Sequence, residues 1–136
     1  MDSQMECQLT GPGNAGQLEN EKVGVCIWAE EDSDDYKELR ETAEELLRSW
    51  PSLQQELLKL VKKELIATGW LKPRSGLTNA DARPFSFGIR KDEFNDDAIG
   101  YDFSFNVPKV LREDESVEVA RYLDGSGGTS EVRCTE

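Results

Sequence analysis

The spacing of apolar residues changes along this chain, and that change constrains the fold more than any other feature of the sequence. Residues 34–68 carry apolar side chains at three- and four-residue steps, the spacing of one face of an α-helix. From residue 84 onward, apolar and polar side chains alternate, as in a strand with one buried face. A chain with both patterns packs helices against a sheet, so the sequence predicts an α+β domain.

The helical region divides into two predicted helices. The first runs from about residue 34 to 49, and Asp32 or Ser33 is placed to cap it. Pro51 cannot continue that helix but suits the first turn of a second, which runs to about residue 68. Ser52 and Gln55 have the spacing of a capping box. The two helices are therefore predicted to form an αα-hairpin with a very short turn.

Four segments have strand character: residues 22–30, 84–90, 99–107 and 116–123. The first is apolar on both faces, which predicts a strand covered on both sides, or close to it. In the second, Phe85, Phe87 and Ile89 are predicted to share one face. The segment "SEVRC" near the end of the chain is either a short last strand or a frayed tail. We expect an antiparallel or mixed sheet of four to six strands, with the αα-hairpin packed on one face.

The 136 residues suit one domain. We predict a flexible or edge-strand segment at 1–20, a single α+β domain at 21–124, and a flexible turn with a C-terminal tail at 125–136. No secretory signal and no apolar run of membrane-spanning length is visible in the sequence. Three cysteines at long spacings do not form a disulfide framework. These features predict a cytoplasmic protein.

The chain contains no histidine, which restricts the chemistry open to it. Catalytic triads and zinc sites that use imidazole are excluded, and a proton-transfer enzyme would depend on carboxylates, Lys, Tyr or Cys. The net charge of −12 disfavours binding to nucleic acid or to anionic membranes. It favours a basic protein partner, because opposite potentials speed association, although solubility alone also explains such a charge.

Acidic residues are concentrated in two places, at 30–35 and at 92–97. The first group precedes the first helix, where its charges favour helix initiation as well as contact with a partner. Trp70 is a candidate aromatic contact, because an exposed tryptophan makes a strong interface residue. The predicted partner-binding residues are Glu30, Glu31, Asp32, Asp34, Asp35, Trp70, Asp92, Glu93, Asp96 and Asp97.

A metal or catalytic role for the second acidic group has less support. Counted from Asp92 or from Asp96, the twelfth position is Phe103 or Val107, not the glutamate that a calcium-binding EF-hand requires. A looser site for a hard cation, using Asp92, Asp96, Asp97 and Asp102, is the open alternative. Asp102 is the acid of most interest for catalysis, since it lies within a predicted strand. We predict no catalytic residues, no metal and no cofactor.

The order of these segments resembles a known kind of small domain. A strand "VGVCIWA", an acidic joint, two Leu-rich helices and an aromatic β-meander ending in "SVEVARYLDG" look like small acidic bacterial domains of unknown function. Some of these are encoded beside polymorphic toxins and are thought to act as immunity proteins. The resemblance is one of pattern and covers roughly residues 22–124. It implies a cytoplasmic, non-enzymatic protein that blocks a partner.

The leading hypothesis is therefore an acidic binding module that neutralises a basic protein, such as a toxin domain. One alternative is a nucleic-acid mimic that inhibits a DNA- or RNA-handling enzyme. A second is a carboxylate-based enzyme or divalent-metal-binding protein, and a third is a structural subunit of an assembly. The sequence leaves the oligomeric state open.

Overall fold

The computed structural model describes residues 17–18, 21–22, 24–30 and 32–134, with side chains from residue 24 onward. Cys7, Glu31 and most of the predicted segment 1–20 lie outside the described residues. The elements in chain order are β1 (Gln17–Leu18), β2 (Glu21–Lys22), β3 (Gly24–Ile27), α1 (Asp34–Arg48), α2 (Trp50–Ala67), β4 (Arg83–Asp92), β5 (Ala98–Asn106), β6 (Glu115–Tyr122) and β7 (Thr129–Cys134).

The main sheet has five strands in the order β3-β4-β5-β6-β7, and β1 pairs with β2 in a separate two-stranded sheet. β3 runs parallel to β4, whereas the pairs from β4 to β7 are antiparallel. A parallel pair needs a crossover connection, and here the two helices supply it. The predicted α+β fold with a mixed sheet is confirmed. For residues 130–134 the strand alternative is the observed one, so the sheet continues beyond residue 124.

The helix boundaries follow local sequence signals. Ser33 is the N-cap of α1, and its hydroxyl accepts a hydrogen bond from the backbone N–H of Tyr36 at 3.1 Å. The predicted capping box at Ser52 is wrong: α2 begins at Trp50, because Pro51 fits its first turn, and Ser49 occupies the N-cap position. The chain leaves α2 through Gly69, whose φ of 86° is a conformation that glycine tolerates best.

The helices cover one face of the sheet. α1 contacts β3 and β4, and α2 contacts β6 and β7, so the consecutive helices lie over different parts of that face. Their apolar stripes meet the inward side chains of β3 to β6. The fully buried larger side chains are Phe87, Phe103, Phe105, Ile27, Leu39, Leu57, Leu65, Ile89, Val25, Val61 and Val107.

The other face of the main sheet has no helix among the described residues. It carries small and charged residues, including Gly88, Asp102 and Glu118 in neighbouring strands. β3 is an edge strand: Val25 and Ile27 are buried on its inward face, and Cys26 on its outward face is partly buried. Trp28, directly after the strand, has 61% of its surface exposed.

A β-bulge explains a second difference from the predicted strands. The register shifts between Pro84 and Ser86, which turns Phe85 outward while Phe87 and Ile89 point into the core. Simple alternation predicts all three side chains on one face. Neither of the helices in the described part of the chain is long and apolar enough to span a membrane.

Candidate functional site

The acidic group at 92–97 forms the turn between β4 and β5, here called the acidic loop. Asp92 organises this loop with both its carboxylate and its carbonyl. Its carboxylate accepts hydrogen bonds from the Phe94 backbone N–H at 3.0 Å and from the Tyr122 hydroxyl at 2.5 Å. Its carbonyl accepts the backbone N–H groups of Asn95 and Asp97, each at 3.0 Å. These four bonds give the loop a defined conformation.

The electrostatics of Asp92 agree with this structural role. The hydrogen bond from Tyr122, followed by that from Phe94, lowers the pKa of Asp92 below its ordinary value. Asp92 therefore stays ionised at neutral pH. Its side chain is committed to bonds within the protein, so Asp92 acts on the surface mainly by shaping the loop.

Phe94 is the most exposed large apolar residue that the structure describes. It lies in the acidic loop with 95% of its surface exposed, while Glu93, Asp96 and Asp97 around it are also exposed. Asp96 and Asp97 adopt the left-handed conformation, with φ of 54° and 56°, which aspartate accepts more readily than most residues. The loop therefore presents an aromatic ring surrounded by carboxylates.

Lys91 links the acidic residues at the start of α1 to the base of this loop. Its ammonium group binds Asp35 at 3.0 Å and Glu38 at 2.7 Å, joining the first turns of α1 to the end of β4. Bonds to Glu38 and then to Asp35 raise the pKa of Lys91, so it stays charged. The side chain of Lys91 is only 22% exposed, whereas those of Asp35 and Glu38 are 60% and 55% exposed. The carboxylates thus face solvent above the lysine.

The structure brings together most of the predicted site residues. Asp32, Asp34 and Asp35 are exposed at the start of α1, next to the β4 end from which the acidic loop departs. Glu30 is exposed in the connection before α1, and Glu31 lies outside the described residues. We call the acidic loop together with the acids of residues 32–38 the acidic surface.

Trp70 is not part of the acidic surface. It follows the end of α2 in the connection that leads to the first residue of β4, whereas the acidic loop follows the last. Within that connection, the carbonyl of Gly76 accepts a hydrogen bond from Lys109, which lies just after β5. Both segments are at the opposite end of the sheet from the acidic loop. Trp70 is 39% exposed there.

Phe94, Lys91 and Glu38 are the members of this surface that sequence reasoning missed. A signal for Phe94 was present, since an aromatic residue between acids in a predicted loop has no core to enter. No local signal marked Lys91, because its two partners lie more than fifty residues away in the sequence.

Open clefts lie on both faces of the main sheet in the described part of the chain. The one on the face away from the helices, of about 550 Å³, is lined by residues that include Ser104, Glu118 and Arg133. An open cleft of about 530 Å³ is lined by residues of both helices, by Tyr101 and by Arg121. Arg121 donates hydrogen bonds there to Tyr101 at 2.8 Å and to Glu56 at 2.6 Å. Asp102, whose pKa burial raises to about 6, points to the opposite face of the sheet.

Metal ligands are not clustered in the part of the chain that the structure describes. No group of three or more acidic or cysteine side chains there is arranged to hold a metal ion. Comparisons with models of protein families, with curated proteins and with solved structures find no match to this chain.

Proposed function

We propose that this chain is a non-enzymatic protein-binding module that uses the acidic surface to bind and neutralise a basic protein, as an immunity protein does with a toxin domain. The observation that carries the proposal is Phe94, an aromatic side chain held almost fully in solvent by a hydrogen-bonded loop. Covering a phenylalanine is worth about 1.5–3 kcal/mol. A partner that buries this ring gains that energy.

The surrounding charges support a basic partner. Carboxylates from two separate segments face solvent on the acidic surface, and Lys91 is enclosed beneath two of them. Such a surface steers a positively charged protein into encounter, and the aromatic ring then anchors it.

The test is a pull-down with the full chain from lysate of its own source at low salt, followed by association kinetics with the partner it identifies. The loop variant is Glu93→Gln/Asp96→Asn/Asp97→Asn, since asparagine tolerates the left-handed backbone at both positions. The matched control is Glu41→Gln/Glu45→Gln/Glu113→Gln, three exposed acids outside the loop. Both variants change the net charge from −12 to −9, because each removes three negative charges. Asp92 is left intact because it shapes the loop.

We expect the loop variant to slow association about tenfold or more at low salt, and the control to slow it much less. Phe94→Ala should leave the association rate almost unchanged and speed dissociation. A partner bound equally well by all four proteins would contradict the proposal, because the acidic surface would then be irrelevant to binding.

A further inference from the structure

Strand β7 forms one edge of the main sheet, and no strand in the described ranges pairs with its outer side. An uncovered edge presents unpaired backbone donors and acceptors, which natural proteins usually protect. β7 has six residues and no proline. Its backbone is therefore competent to pair with another strand.

The charges on β7 are self-complementary about Val132. Glu131 and Arg133 flank this residue and form an ion pair with each other along the strand, and each side chain is 57% exposed. Arg133 also binds Glu118 of the neighbouring strand at 3.1 Å. When two copies of β7 align antiparallel with Val132 opposite Val132, Glu131 lies directly across from Arg133 of the partner subunit, and the reverse pair forms as well. Directly opposed charges of unlike sign stabilise a strand pair.

Neighbouring symmetric registers lack this property. A two-fold axis at Glu131 places two glutamates opposite each other, and an axis at Arg133 places two arginines opposite each other. Like charges in directly opposed positions destabilise a strand pair. The pattern therefore selects one register, whereas an edge with a single kind of charge would repel its own copy.

We propose that the chain forms a two-fold symmetric dimer in which the β7 strands pair antiparallel about Val132 and join the two main sheets into one. This dimer goes beyond the proposed partner binding and does not depend on it. The acidic loop leaves β4, three strands away from β7, so it stays accessible in both copies.

A charge-swap series tests the proposed pairing by sedimentation of the full chain over a concentration series in moderate salt. The wild type should rise from 15.3 kDa toward twice that mass. Glu131→Arg should remain at the single-chain mass, because the new arginine would lie opposite Arg133 of the partner subunit and the two positive charges would repel. Within its own chain the introduced arginine faces Glu118, the register partner of residue 131, so the fold is expected to persist. Glu131→Arg/Arg133→Glu should restore the doubled mass.

Cross-linking tests the register independently of these charge changes. In a Cys7→Ser/Cys26→Ser background, Ser130→Cys places a thiol opposite Cys134 of the partner subunit. Residues 130 and 134 of one strand are too far apart to join each other. Thr129→Cys in the same background is the matched control, because it keeps Glu131 and Arg133 and its thiol lies on the opposite face of the strand from Cys134 of the partner subunit. With oxidised glutathione as oxidant, Ser130→Cys should give several-fold more covalent dimer than the control.

Three results would overturn the proposed dimer. They are a wild-type mass that stays at 15.3 kDa at every concentration, a double swap that remains at that mass, and equal cross-linking of Ser130→Cys and its control. If Glu131→Arg fails to fold, the cross-linking comparison decides, because it retains both charges of the proposed pair in the Ser130→Cys protein.

Discussion

The pKa of Asp102 is set by residues that are its neighbours in space. It lies on the face of the sheet away from the helices, across from Gly88, and a Cβ added at position 88 would come within 3.0 Å of its carboxylate. The absence of a side chain at Gly88 lets this close approach occur. Burial, and then the nearby charge of Glu118, raises the pKa of Asp102 to about 6.

This raised pKa predicts a pH-dependent cost to folding. The folded-state pKa of about 6 lies above the ordinary value of 3.8, so ionised Asp102 disfavours the folded state, and the cost develops as pH rises from about 4 through 6. After a discount for partial exposure, we expect Asp102→Asn to raise the free energy of unfolding by about 1–2 kcal/mol at pH 8. The gain should nearly vanish at pH 4.

Urea denaturation at pH 4, 6 and 8 measures this effect. Glu113→Gln, at an exposed position, is the control and should change stability little at any of these pH values. A loss of stability in Asp102→Asn at pH 8 would show that the carboxylate is stabilised by attraction to Arg90 and Arg133 more than it is penalised by burial.

At the scale of an element, α1 illustrates a helix whose start is set by side-chain chemistry. The Ser33 hydroxyl accepts from the Tyr36 N–H and donates to the Glu30 carbonyl at 2.6 Å. Asp34 and Asp35 follow in the first turn, where the helix dipole favours negative charge. The same start holds the acids of the candidate site, so the helix cap also positions the acidic surface.

The two helix N-caps provide a matched pair of serine substitutions. Ser33→Ala should lower the free energy of unfolding by about 1 kcal/mol, because it removes the capping hydrogen bond. Ser49→Ala should lower the free energy of unfolding by only about a few tenths of a kcal/mol, since the Ser49 side chain makes no capping bond to α2. Chemical denaturation of both variants measures the difference, and equal losses would argue against a special role for Ser33.

At the scale of the whole molecule, an aromatic cluster joins the helices to the sheet. Phe103 is fully buried, with its ring centroid 4.5 Å from that of Phe87 and 5.2 Å from that of Trp50 at the start of α2. Offset contacts between aromatic rings add to the energy of burial. Phe103 thus ties α2 to the middle of the sheet.

The same substitution in the core and on the surface tests this organisation. Phe103→Leu should lower the free energy of unfolding by about 1–2 kcal/mol, because the smaller side chain leaves unfilled volume. Phe94→Leu should change it by no more than about 0.5 kcal/mol, since that ring is exposed. Urea denaturation compares them, and a large loss in Phe94→Leu would mean that the acidic loop packs against the domain.

Local patterns predicted much of the fold and part of the candidate site. The period of the apolar residues located both helices, and Ser33, Pro51 and Gly69 set their ends through short-range geometry. Two of the sequence-based predictions, for Phe85 and Ser52, were wrong. Phe85 turns outward at a bulge, and Ser52 lost its predicted capping role because α2 starts two residues earlier. A count of alternating residues contains no information about a register shift.

The sequence by itself determined the helices, the four strands of the main sheet with clear alternation or apolar character, the acidic composition and the loop character of residues 92–97, because these follow from spacing and from side-chain chemistry over a few residues. Only the tertiary structure decided that β3 lies parallel to β4, that Lys91 joins Asp35 and Glu38 to the base of the acidic loop, and that Phe94 is 95% exposed. Each of these depends on contacts between residues far apart in the chain. The free energy of such contacts is set by the packing of the whole domain, which no short segment encodes.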